Sequence, residues 1–134
     1  MFPTMFCPML VTRALADSTN ATIFISYGTG EVRVAPVNDT LRVGAVSIPR
    51  QGIGVAGSVT ADYASSSYDG LFGLGFPNNS ALNSTPPFFN MIQEGKLQQN
   101  VFSVWLNPDL AALDAGEITI GGLNHSRFSG NLTM

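Results

Sequence analysis

An all-β fold with one short helix is the class this sequence predicts, on three features of its pattern. From Thr22 onward apolar and polar residues alternate with period two. Glycine and other turn formers break that alternation at short intervals, as expected of many short strands. The closing apolar segments, "NVFSVWL" and "GEITIGG", are β-branched and aromatic or alternate cleanly.

Taken in order, the chain opens on "MFPTMFCPMLV", followed by the small-x-small triplet Ala14-Leu15-Ala16. Residues 1–16 read either as a short secretory signal or as the ragged edge of a fragment. The cleavage-like triplet favours the signal, whereas Pro3, Pro8 and the lack of a preceding Lys or Arg favour the edge. Next, Ile23, Ile25 and Tyr27 fall on one face of a strand, and Val32 and Val34 stand opposite Glu31 and Arg33 in a second. Between them Gly28-Thr29-Gly30 predicts a hairpin tip that can approach another chain closely, because glycine carries no Cβ. Pro36 then demands an edge or a bulge. Gly52 to Asp69 is rich in Gly, Ala and Ser and reads as a weak strand followed by loop. After the loop from Pro77 to Pro87, the spacing of Phe88, Met91, Ile92 and Leu97 predicts the one helix, ended by Gly95. Two strands close the chain, the second with Ile118 and Ile120 on one face and Glu117 and Thr119 on the other.

The 134 residues are 45% hydrophobic and only 11% charged, against about 25% charged in an average soluble domain. One domain, or part of one, is the expectation at this length. A net charge of −3, with six Lys and Arg scattered singly, leaves no basic stripe, so nucleic acid is not an expected partner. No apolar run reaches the roughly 20 residues of a transmembrane helix, so no membrane span is expected. Sequons begin at Asn20, Asn38, Asn78, Asn83, Asn124 and Asn131, a density that points to a glycosylated chain of the secretory pathway. Cys7 is the only cysteine, which excludes an intrachain disulfide and a thiolate metal cluster.

A nucleophile-base device needs a histidine, and the sole candidate, His125, lies inside a sequon on an expected solvent loop. One His and one Cys far apart in sequence predict no metal site, and no cofactor is expected. Paired carboxylates could carry acid/base chemistry, and spacing alone does not show that any two meet. Asp69, in Tyr68-Asp69-Gly70, reads as a turn or a structural acceptor.

Five segments, "ISYGTG", "NDTLRVG", "YDGLFGLGF", "PPFFNMIQEGKLQQNVFSVWL" and "GEITIGGLNHSRFSG", occur in the order and spacing of pepsin-like aspartic proteases (peptidase A1). The resemblance runs from about Asp17 to Leu132. It implies a pepsin-like β-barrel lobe with a flap hairpin, incomplete relative to the two-lobed family fold. Residues 17–134 would be a partial protease domain, with residues 101–134 in the sheet between the lobes. It implies further that Tyr27 is the flap tyrosine, that Gly28 and Thr29 offer backbone hydrogen bonds to a peptide, and that Tyr68 and Leu71 line the pocket beside them. Leu71-Phe72-Gly73 resembles the segment bracing the first catalytic loop. Asn124, Arg127 and Phe128 depart mildly from the family's Gly-Gly-x-Asp-x-x-Lys-Tyr-x-Gly stretch.

The family's hydrolase chemistry uses two aspartates, one in each of two Asp-Thr/Ser-Gly loops. This sequence contains no such triplet: Asp17-Ser18-Thr19 lacks the glycine, and Asp39-Thr40-Leu41 matches a strand after the flap. Catalytic residues are therefore expected to be absent from the chain, which would act on peptide or protein substrates only if completed by missing segments. The alternative is a non-catalytic secreted glycoprotein, a degenerate protease-like module that binds a peptide or a partner. Oligomeric state stays open.

Overall fold

The structure is a computed structural model that describes residues 22–27, 30–65, 69–109 and 116–133. Three strands, β1 (Ile23–Tyr27), β2 (Gly30–Val43) and β3 (Val46–Val59), form an antiparallel sheet in the order β1-β2-β3. Pairing of Ile23 with Val34 and Ile25 with Val32 puts these four residues on one face, with Val34 buried. On the opposite face the Arg33 guanidinium lies 5.9 Å from the centre of the Phe24 ring. Gly44 turns β2 into β3 at a φ of 57°, a left-handed conformation that glycine adopts without steric cost. Register shifts at Arg33/Val34 and Asp39/Leu41 bracket Pro36. Among the described residues β1 pairs with β2 only as far as Val34, so Pro36 there has a strand on one side alone, the edge that proline was expected to need.

Beyond a single-turn helix α1 (Ala61–Ala64) and a 3₁₀ turn at Pro77–Asn79 comes α2 (Pro87–Gln93), the helix predicted from the sequence. Pro87 occupies its first turn, where a missing N–H costs no intrahelical bond. Its C-terminus is closed by Gly95 at φ 62°, with Gly95 N–H donating to Ile92 and Lys96 N–H to Met91. Those two bonds are the pattern of a Schellman cap. Met91 packs with the cross-strand pair Leu41 and Ile48 to make the buried cluster of the chain, flanked by Val43, Val46, Leu97 and Ile120. Beside it the buried Gln51 side chain donates to the Thr85 carbonyl at 3.0 Å and accepts from the Asn90 amide at 2.7 Å. Three segments, β3, the loop before α2 and α2 itself, are thereby tied by one polar residue whose hydrogen bonds are met.

A separate two-stranded ribbon, β4 (Phe102–Leu106) and β5 (Gly116–Ile120), is docked on α2 through Phe88 and Phe102, whose rings meet edge to face at 5.1 Å. Its pairing, Val104 with Ile118 and Trp105 with Glu117, makes one face apolar and the other polar. Val104, Leu106 and Ile118 on the apolar face are exposed. A second 3₁₀ turn follows at His125–Arg127.

Two expectations are adjusted. The strands form an open sheet and a ribbon, and no barrel closes among the described residues. Barrel closure requires both outer strands to find partners, and β1 and β3 each pair with β2 alone. The weak strand read from Gly52 onward is the second half of a 14-residue strand, because β2 supplies a hydrogen-bonding partner that local propensity could not reveal.

Candidate functional site

Tyr27 ends β1 and Gly30 begins β2, and the two are cross-strand partners, so β1 and β2 form a hairpin. Alternation carries Tyr27 on the face of Ile23 and Ile25, and its ring is exposed. Gly28, Thr29 and Tyr68 lie outside the described residues, as do Cys7 and Asn20. Leu71 is exposed in the extended stretch that precedes the Pro77–Asn79 turn, with Phe72 and Phe76 also at the surface. Of the five residues expected to meet a peptide, the structure thus describes two, each presenting an apolar surface to solvent.

The described carboxylates have local surroundings. Asp39 is buried in β2, where its carboxylate accepts the Thr40 N–H at 2.6 Å, a local role that holds strand geometry at the register shift. Asp69 sits exposed at a bend, in keeping with its reading as a turn residue. His125 is exposed in its 3₁₀ turn, with its ring 5.2 Å from that of Phe128. Among the described residues no three His, Cys, Asp or Glu side chains gather where a metal ion could be held.

One charged cluster escaped sequence reasoning. On the polar face of the β4–β5 ribbon, Glu117 accepts hydrogen bonds from Asn124 at 2.7 Å, Thr119 at 2.9 Å and Arg127 Nε at 3.1 Å. A second Arg127 nitrogen lies 3.0 Å from the same carboxylate, and the guanidinium stacks 3.9 Å from the centre of the Trp105 ring. The bonds from Asn124 and then Thr119 hold the Glu117 carboxyl below its usual range against the opposing effect of burial, with Arg127 contributing less. All these donors favour the charged form, and the carboxylate clamps the returning chain. The clue in the sequence was slight: Thr119 lies two residues on, on the same strand face, but Asn124 and Arg127 reach Glu117 only because the chain doubles back after β5.

Among the described residues, two surface hollows are lined by neither Tyr27 nor Leu71. One, of about 170 Å³, is walled by Trp105, Glu117, Thr119 and Arg127 of the clamp. The other, an open depression of about 430 Å³, lies between Pro77, Asn78, Asn83, Ser84 and Thr85.

Comparison with known proteins accounts for the exposed hairpin and the sheet together. Residues 10–134 match the family described as eukaryotic aspartyl protease. Aspartic proteinase A3 of Arabidopsis thaliana is 36% identical over 111 residues, covering 82% of this chain and 22% of the relative. Pepsin A of Canis lupus familiaris is 35% identical over 117 residues, covering 87% of this chain and 30% of the relative. The chain therefore spans less than a third of the length of these relatives. The crystal structure of the aspartic proteinase from Irpex lacteus superposes with a TM-score of 0.67 over 87% of this chain and 36% of that one, at 24% identity, and so shares the fold. The hairpin, helix and ribbon described above thus sit on a pepsin-like scaffold, and the chain belongs to the eukaryotic aspartyl protease family.

Proposed function

We propose that this chain is the flap-bearing part of a secretory-pathway aspartic endopeptidase and does not hydrolyse peptides by itself. The observation that carries the reading is the β1–β2 hairpin closed by the Tyr27–Gly30 pair, with Tyr27 exposed, within a family match that runs from residue 10 to residue 134. In such an enzyme a water held between two aspartates attacks the scissile carbonyl while a hairpin closes over the peptide and excludes bulk solvent. This chain supplies the closing part: the Tyr27 ring as a wall of the pocket, Gly28 and Thr29 as backbone partners of the peptide, and Tyr68 and Leu71 as further lining. The absence of any Asp-Thr/Ser-Gly triplet removes the water-activating pair from the sequence. Residues 17–134 then belong to a protease domain, with residues 101–134 contributing to the sheet between its lobes. Residues 1–16 form a leader or an edge.

Compartment follows from the sequons and from relatives that include a probable vacuolar protease A of Arthroderma benhamiae, 34% identical over 118 residues. Peptides or proteins are the substrate class, in keeping with the family. No helix among the described residues is long and apolar enough to cross a membrane.

Two measurements test the reading. The purified chain is expected to release no product from a denatured protein substrate at acid pH, and release blocked by an aspartate-directed transition-state analogue would overturn the claim of inactivity. A full-length transcript is expected to carry an Asp-Thr/Ser-Gly coding triplet in frame on each side of this stretch. In-frame stop codons at both ends would favour the second reading, a non-catalytic binding module, which the missing triplets also support.

A further inference from the structure

Five sequon asparagines fall among the described residues, and the fold treats them unequally. Asn38, Asn78, Asn83 and Asn131 are exposed, while Asn124 is half-buried at the clamp. We infer that the fold closes Asn124 to N-glycosylation and that carbohydrate is carried on the loop containing Asn78 and Asn83. This rests on the secretory reading above and deepens it.

Transfer of a glycan makes a bond between the asparagine amide nitrogen and the anomeric carbon of a lipid-linked oligosaccharide diphosphate. The carbon–oxygen bond to diphosphate breaks, and one amide proton is lost. The nitrogen must therefore be reachable, as must the hydroxyl of the sequon's third residue. At Asn124, which is half-buried, both groups are already engaged in hydrogen bonds, although Ser126 itself is exposed. Its nitrogen donates to Glu117 Oε1 at 2.7 Å. Its carbonyl oxygen accepts from both Ser126 N at 3.1 Å and Ser126 Oγ at 2.8 Å, which draws the sequon hydroxyl into the same turn. Arg127 completes the enclosure by bonding Glu117 and covering Trp105. These contacts are local, seven and ten residues apart, and loops of that length close in about 10–100 ns. The clamp can thus form as soon as the segment is free to fold, ahead of any enzyme that must find it.

Asn78 and Asn83 are the reverse case. Asn78 lies in the 3₁₀ turn and Asn83 follows it at a φ of 51°, both exposed. Both border the open depression of about 430 Å³, and neither side chain makes a hydrogen bond among the described residues.

The test uses the folded full chain incubated with glycan-transferring microsomes. Sites are read by enzymatic deglycosylation in heavy-oxygen water, which converts each glycosylated Asn to a mass-tagged Asp. Asn78 or Asn83 is expected to be tagged severalfold more than Asn124. A synthetic peptide from Ile120 to Gly130, which lacks Glu117, is expected to be tagged at Asn124. Glu117→Ala in the full chain should raise the Asn124 tag severalfold with the circular dichroism spectrum retained. If that variant fails to fold, the contrast between peptide and chain decides. Equal tagging of Asn124 and Asn78 in the folded chain, or a peptide no better than the chain at Asn124, overturns the inference. Cells expressing the chain with its own N-terminal residues provide the separate arm: no glycan at any sequon there, with the microsomal pattern intact, would sink the secretory reading and leave this inference standing.

Discussion

At its turn end the long β2–β3 hairpin is sealed: Leu41 and Ile48, cross-strand partners, are 2% and 0% exposed beneath Met91 of α2. Toward its other end, on the same strand β3, Val55 and Val59 are 49% and 41% exposed, and Tyr27 stands beyond them at the tip of β1. Backbone pairing continues throughout, so hydrogen bonding does not distinguish the two ends. What differs is cover. α2 packs on one end of the hairpin, while the valines at the other end stay exposed. A sheet anchored at one end and bare at the other suits an element that must be rigid at its root and accessible at its tip, since burying a Leu- or Met-sized side chain stabilises by about 1.5–3 kcal/mol.

The sharpest way to break the comparison is to empty the sealed end. Met91→Ala, which leaves a cavity against Leu41 and Ile48, should destabilise by about 2–5 kcal/mol in urea-induced unfolding, enough to remove most of the stability of a marginal chain. Gln51→Ala removes the residue tying β3 to Thr85 and Asn90 and should cost about 1–3 kcal/mol in the same assay. A methyl group can probe the contrast along β3 itself. At Gly52 an added Cβ would lie 2.6 Å from Ser84 Cβ, whereas at Gly57 it would meet nothing within 4 Å. Gly52→Ala is thus expected to lower stability by about 1–3 kcal/mol through overpacking. Gly57→Ala, with Val55→Thr as a second probe of the bare end, should stay within about 0.5 kcal/mol. If the two glycine variants behaved alike, the idea of a covered and a bare end would be wrong.

The smallest effect expected is at the ribbon. Glu117 has its carboxyl pKa lowered in the folded chain, so its contribution is complete above the ordinary value of 4.5 and is lost only as pH falls through the lowered one. Because Arg127 stacks on Trp105, tryptophan fluorescence should stay constant from neutral pH down to that region and change below it. Glu117→Gln should flatten the transition. A fluorescence change centred above 4.5 would contradict the direction of the shift.

Legibility of the molecule divides along the line between local and distant contacts. The hairpin at Tyr27 could be read directly, because two glycines around one residue encode a turn locally, and α2 could be read from its apolar spacing and its glycine stop. Pro87, the first residue of that helix, reads from the sequence as the end of the preceding loop. The second half of β3 could not, because Gly, Ala and Ser there have little strand preference and become strand only against β2. Of the residues expected to meet a peptide, Tyr27 and Leu71 are exposed, and the other three lie outside the described residues.

The sequence alone determined the all-β class, the place of the hairpin turn, the helix with its glycine stop and the absence of an Asp-Thr/Ser-Gly triplet, each set by neighbours within a few residues. Tertiary structure alone decided which sheet end is covered, that Asp39 is buried, and that Glu117, Asn124, Arg127 and Trp105 form one clamp. The physical reason is register. Pairing Trp105 with Glu117, and folding the chain back after β5, joins side chains whose separation along the sequence carries no periodic signal.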